Sequence, residues 1–173
     1  MGPGRTRRPD SAARGVLFGA VVTCALACSE APEASPEPRA SGAAATTAKP
    51  ELVPLPGNVS DGRGFIRGEV ERAERDGRKL VVYVGAAWCE PCQAFHRALE
   101  RGELDGELGG VRFLDFDLDR HGDLLQEAGC TSKLVPLFAR PTPEGTCSHR
   151  RTEGGIKGDG AVRFMLPRLA EIL

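Results

Sequence analysis

The sequence predicts an α/β domain, a central mixed sheet of four strands with helices on both faces. Three observations lead there. Over residues 57–173 the apolar pattern switches repeatedly between helical and strand periods. Leu80-Val81-Val82-Tyr83-Val84 is a continuous apolar, largely β-branched run, which suits a strand buried on both faces. A closely spaced cysteine pair falls where that strand gives way to a helix.

The elements follow in order. Phe65-Ile66, Val70 and Ala73 recur at helical spacing in a charged stretch, predicting a helix over 64–75 that stops at Asp76-Gly77. Lys79 to Ala86 is the buried strand. Residues 91–101 form a helix with Phe95, Ala98 and Leu99 inward. Val111, Phe113, Leu114, Phe116 and Leu118 mark a second strand over 111–118. A short helix covers 123–128, and a third strand covers 134–139 with Pro136 near its start. Pro143 and Gly145 signal a turn, and a fourth strand returns over 146–152. Asp159 is expected to cap a last helix through Leu173, kinked at Pro167. Helices and strands that alternate in this way call for a sheet covered on both sides.

The 173 residues allow one ordinary domain with some to spare. A net charge of −1 argues against a broad basic surface, so nucleic acid is not an expected partner. No run of 18 apolar residues occurs, so no mature transmembrane helix is expected.

Residues 1–27 read as an export signal. Arg5, Arg7, Arg8 and Arg14 precede the uncharged, mostly apolar stretch Gly15 to Ala27. It ends in Ala25-Leu26-Ala27-Cys28, which contains an Ala-x-Ala cleavage site. The same string resembles a bacterial lipoprotein box, with Ala25 in place of the usual leucine. That resemblance implies lipidation of Cys28; simple secretion is the alternative. Ser29 to Pro56 has six prolines, many alanines and no aromatic residue. Such a segment buries too little apolar surface to offset its ordering entropy, so 28–56 reads as a lipidated cysteine and disordered tether. The expected location is the periplasmic side of a bacterial membrane, anchored by lipid (outer membrane favoured) or free in the periplasm.

Trp88-Cys89-Glu90-Pro91-Cys92 has the spacing that lets one helical turn bring two sulfurs together. A helix N-terminus favours an anion, and cysteines there ionise readily. Cys89 is therefore the expected nucleophile and Cys92 the resolving thiol. Pro91 suits the first helical turn, where its missing N–H costs nothing. Glu90 and Pro91 are placed as tuners of redox behaviour. A zinc ribbon needs a second close pair, and haem attachment needs histidine where Gln93 stands. No metal or cofactor is expected.

Strand, Ala-x-Trp-Cys-x-x-Cys, helix and the later Val135-Pro136 together resemble the thioredoxin superfamily over residues 62–173. The resemblance implies a three-layer sandwich and thiol–disulfide oxidoreductase activity. It implies a cis proline at Pro136, with Val135-Pro136 and Trp88 forming the substrate edge. Thioredoxins often hold a buried aspartate in the strand before the site, where it helps move the proton of the second cysteine; here Tyr83 stands there, so that base is missing, and Glu90 is the nearby carboxylate that would either substitute for it or only tune the potential. His96 reads as a packing or surface histidine. Asp76-Gly77-Arg78-Lys79 before the strand is similar to C-terminal domains of the DsbD type, while Cys-Glu-Pro-Cys is similar to reductants of cytochrome c maturation. Expected partners are exported thiol or disulfide proteins, a membrane thiol reductase as electron donor, and the membrane itself through the lipid. A non-catalytic thioredoxin-like binding or chaperone module, keeping the cysteines structurally, stays open as the alternative.

Cys130 and Cys147 lie 17 residues apart. An oxidising compartment permits a bond between them. Geometry weighs against it. If Cys130 sits near Pro136, strand length puts Cys147 about 17–20 Å away, and bonding needs Cα atoms within about 7 Å.

Overall fold

A computed structural model describes residues 48–173. The export signal, Cys28 and most of the tether lie outside them. Nine elements follow one another: β1 (Glu51–Pro54), α1 (Gly62–Arg75), β2 (Lys79–Gly85), α2 (Glu90–Glu100), β3 (Val111–Asp117), α3 (Gly122–Glu127), β4 (Leu137–Pro141), β5 (Cys147–Glu153) and α4 (Ala161–Ile172). The sheet order is β1-β3-β2-β4-β5. β1, β3 and β2 are parallel, and β4 and β5 run antiparallel to their neighbours.

Period-two alternation in β2 divides the core. Val81 and Tyr83 join Phe95, Phe113, Phe138, Met165 and Leu169 on the face covered by α2 and α4. Val82 and Val84 join Ile66, Ala73, Leu114, Phe116 and Leu125 on the face covered by α1 and α3. The three-layer α/β architecture is as expected. Helix ends follow local chemistry: the Asp61 carboxylate accepts from the Gly64 N–H at 2.7 Å to start α1, and Gly77, at φ 65°, takes the chain out of it.

Three expectations are corrected. The sheet has five strands, because residues 51–54, assigned to the tether, pair with Arg112–Asp115. Tertiary contacts outweigh the local proline signal there. The buried Arg112 guanidinium donates to Glu51 and to Asp76, at 2.8 Å each, and fastens β1 to the end of α1. An edge position also tolerates Pro54, since one side of the strand has no partner. Second, α4 starts from Gly160, with no side-chain cap from Asp159. The carbonyl oxygens of Gly158 and Gly160 accept from Ala161 and Phe164 instead.

Third, Cys130 and Cys147 form a disulfide, with Cα atoms 5.1 Å apart. α3 carries the chain away from the Pro136 end, and residues 131–135 bring it back. Five extended residues span up to about 17 Å, so Cys130 and Pro136 stand at different levels of the sheet. Cys147 opens β5 opposite Pro141, at the far end, and its N–H reaches Ala128 O at 3.0 Å.

Candidate active site

The end of β2 and the start of α2 set the cysteine pair. Cys89 is the N-cap of α2, in extended backbone at φ −82° and ψ 103°. Its sulfur accepts from the Cys92 N–H at 3.2 Å, so it meets the free N–H groups of the first turn. Pro91 occupies that turn as expected. Cys89 and Cys92 are joined in a disulfide with Cα atoms 5.2 Å apart. Both are nearly buried, at 4% and 2% exposure.

Three loops surround the pair. Trp88 is 65% exposed, and its indole N–H donates to Asp119 at 2.8 Å in the loop after β3. The Val135-Pro136 peptide is cis, and Val135 packs against the cluster that contains both cysteines. The Pro136 carbonyl accepts from the Gly154 N–H at 2.8 Å. A Cβ on Gly155 would meet both Pro91 and Pro136, so the cis proline lies beside the motif. Leu134 and Ile156, at 57% and 44% exposure, are chain neighbours of Val135 and Gly155, so with Trp88 they add exposed apolar side chains to the segments that meet the motif. Neither residue stood out in the sequence, where a lone apolar side chain in a loop is ordinary.

Glu90 turns away from Cys92. Its carboxylate accepts from the Gly158 N–H at 2.8 Å on the opposite flank. Behind Cys92 lies a cleft of about 460 Å³, lined also by Tyr83, His96, Asp115, Asp117 and His121. Tyr83 pairs with Asp115 in the β2–β3 register, so both point to the same face. The phenol packs against Phe95, His96 and Phe138 with ring centres 5.2–5.3 Å apart, and its buried hydroxyl meets no hydrogen-bond partner. Burial, with the Asp115 charge adding, holds the Tyr83 phenol protonated far above its usual range. The His96 Nε2 lies 3.8 Å from an Asp115 oxygen. Burial pushes the Asp115 carboxyl up against the pull of His96; Asp117 adds to the rise and His121 opposes it.

The sequence held signals for both of these cleft residues. Asp115 breaks the apolar stretch Phe113-Leu114 and Phe116, and His96, four residues past Cys92, shares its helix face.

No family model matches the chain, and no curated protein does. Among solved structures, the chain is similar to oxidised thioredoxin O1 from Arabidopsis thaliana, at 23% identity over 71% of this chain and 97% of that one, with a TM-score of 0.45. It is also similar to a poplar thioredoxin h, at 20% identity over 71% and 97% of the two chains with a TM-score of 0.44. Oxidised mitochondrial thioredoxin 3 from Saccharomyces cerevisiae aligns at 25% identity over 60% and 83%, with a TM-score of 0.41. With its sheet order, its cysteine pair at the α2 N-terminus and its cis proline beside that pair, the described domain has a thioredoxin-like α/β fold.

Proposed function

We propose that this chain is a thiol–disulfide oxidoreductase that exchanges electrons with exported proteins. The observation that supports it is the Cys89–Cys92 disulfide at a helix N-terminus, with exposed apolar side chains on the segments that meet the motif. In the reduced enzyme the Cys89 thiolate attacks a partner disulfide. A mixed disulfide forms, and one partner sulfur leaves as a thiolate. Cys92 then gives up its proton and attacks the Cys89 sulfur. The enzyme disulfide closes, and the second partner sulfur leaves and is protonated. Read backwards, the same steps oxidise a partner dithiol.

Trp88, Val135 and Pro136 form the docking edge in this reading. Glu90 and Pro91 tune the pair, Glu90 by holding the Gly158 loop against α2. The setting is the periplasmic side of a bacterial membrane, with Cys28 lipidated and a membrane thiol reductase as electron donor. Replacing Cys89 with serine should abolish reduction of insulin disulfides, and unchanged turnover would refute its role. Replacing Cys28 with alanine should shift the exported chain from the membrane to the soluble fraction.

The burial of both sulfurs favours a second reading, a binding module with a structural disulfide. A redox titration read by thiol alkylation separates the two. Rapid, reversible reduction of Cys89–Cys92 supports the enzyme; a bond that resists thiol reductants supports the module.

A further inference from the structure

The proposed exchange needs a place for one proton. When Cys92 resolves the mixed disulfide, its sulfur must lose a proton while it is almost wholly buried. A buried thiol has little contact with bulk water, so a nearby base determines how readily the thiolate forms.

The groups around Cys92 narrow the choice. Tyr83 is held protonated and can accept no proton on its oxygen without a cost in charge. Glu90 is engaged with Gly158 on the other flank. Asp117 accepts from the Asp119 and Arg120 N–H groups at 3.0 Å each, and its own N–H occupies His121 Nδ1 at 3.0 Å. Arg97 from α2 and Arg120 from the loop after β3 complete the charged lining, and both are donors. Asp115 and His96 remain: a carboxylate and an imidazole facing one another across 3.8 Å, in the cleft that Cys92 also lines.

We propose that Asp115, with His96 beside it, accepts the Cys92 proton through the cleft behind the disulfide. This deepens the redox reading and rests on it. The proton leaves the Cys92 sulfur for the Asp115 carboxylate, relayed by water in a cleft that has room and polar partners for it. The Cys92 thiolate forms its bond to the Cys89 sulfur. The bond from Cys89 to the partner breaks, and the electron pair leaves on the partner sulfur. Asp115 returns its proton to the cleft, with His96 stabilising the carboxylate in between.

Trp88 is the chain's single tryptophan and adjoins Cys89, so its fluorescence follows the site without interference. The full-length chain, with its site reduced, is mixed with oxidised glutathione over a range of pH. A first phase reports attack by Cys89, and a second reports resolution by Cys92. Asp115→Asn should slow the second phase by roughly tenfold or more near neutral pH and move its half-maximal rate to higher pH. His96→Gln, at a half-buried position, should shift the same profile in the same direction and serves if the first variant does not fold. Asp115→Glu should keep a profile close to the original. Unchanged second-phase profiles in Asp115→Asn and His96→Gln would overturn the proposal, as would a Glu variant that behaves like Asn. A parent chain that shows no phase dependent on Cys89 would instead overturn the redox reading beneath it.

Discussion

Tyr83 and Trp88 are the chain's single tyrosine and single tryptophan, the first buried and the second exposed. Tyr83 is fully buried, with its phenol held protonated above the usual range. In the unfolded chain it ionises near pH 10. Above that value the unfolded state binds fewer protons than the folded one, so stability is lost as pH rises. Tyrosinate absorbance should therefore stay absent in the folded chain and appear together with alkaline unfolding. A phenol that titrates near pH 10 in the folded protein would contradict its burial. Trp88 is largely exposed and held by Asp119. Trp88→Ala should lower kcat/KM for insulin about fivefold, or roughly 1 kcal/mol, with little change in the unfolding midpoint.

At the scale of elements, the junction between α2, the turn into β4 and the segment after β5 holds the site together. Gly155 fits there because it lacks a side chain. A Cβ on it would lie 2.8 Å from Pro91 Cβ and 3.3 Å from Pro136 Cδ, two rigid rings. Gly155→Ala should cost about 1–3 kcal/mol, seen as a lower denaturant midpoint. The same change should weaken insulin turnover by displacing Val135-Pro136 from the motif. A midpoint equal to that of the parent would show that the segment yields without strain.

The whole domain is stapled at two levels. Cys89–Cys92 lies at the end of the sheet where β2 finishes, and Cys130–Cys147 ties the exit of α3 to the start of β5. Cys130 is fully buried and does not line the cleft, so the second bond has a structural role in this reading. Replacing Cys130 and Cys147 together with alanine should lower stability by about 3 kcal/mol, the scale for a loop of this size. Guanidinium unfolding measures that loss. Insulin reduction below the new unfolding transition should persist, and its disappearance would assign the second pair a part in the chemistry.

Local signals determined most of the fold. The strand and helix periods, the helix stop at Gly77, and the placement of Cys89 at a helix N-terminus depend on neighbours within a turn or two. They were legible for that reason. The cis peptide at Val135-Pro136 was legible through the resemblance. Other features needed the chain to be folded. β1 holds its place through backbone pairing and the Arg112 bridge to Glu51 and Asp76, partners remote in sequence. The Cys130–Cys147 bond depends on the path of residues 131–135 between two levels of the sheet. The approach of His96 to Asp115 depends on register between β2 and β3 and on how α2 lies across them. The sequence alone determined which chemistry the motif can do. Tertiary structure decided which charged groups share a cleft with Cys92, because that grouping is set by packing between elements and no local spacing encodes it.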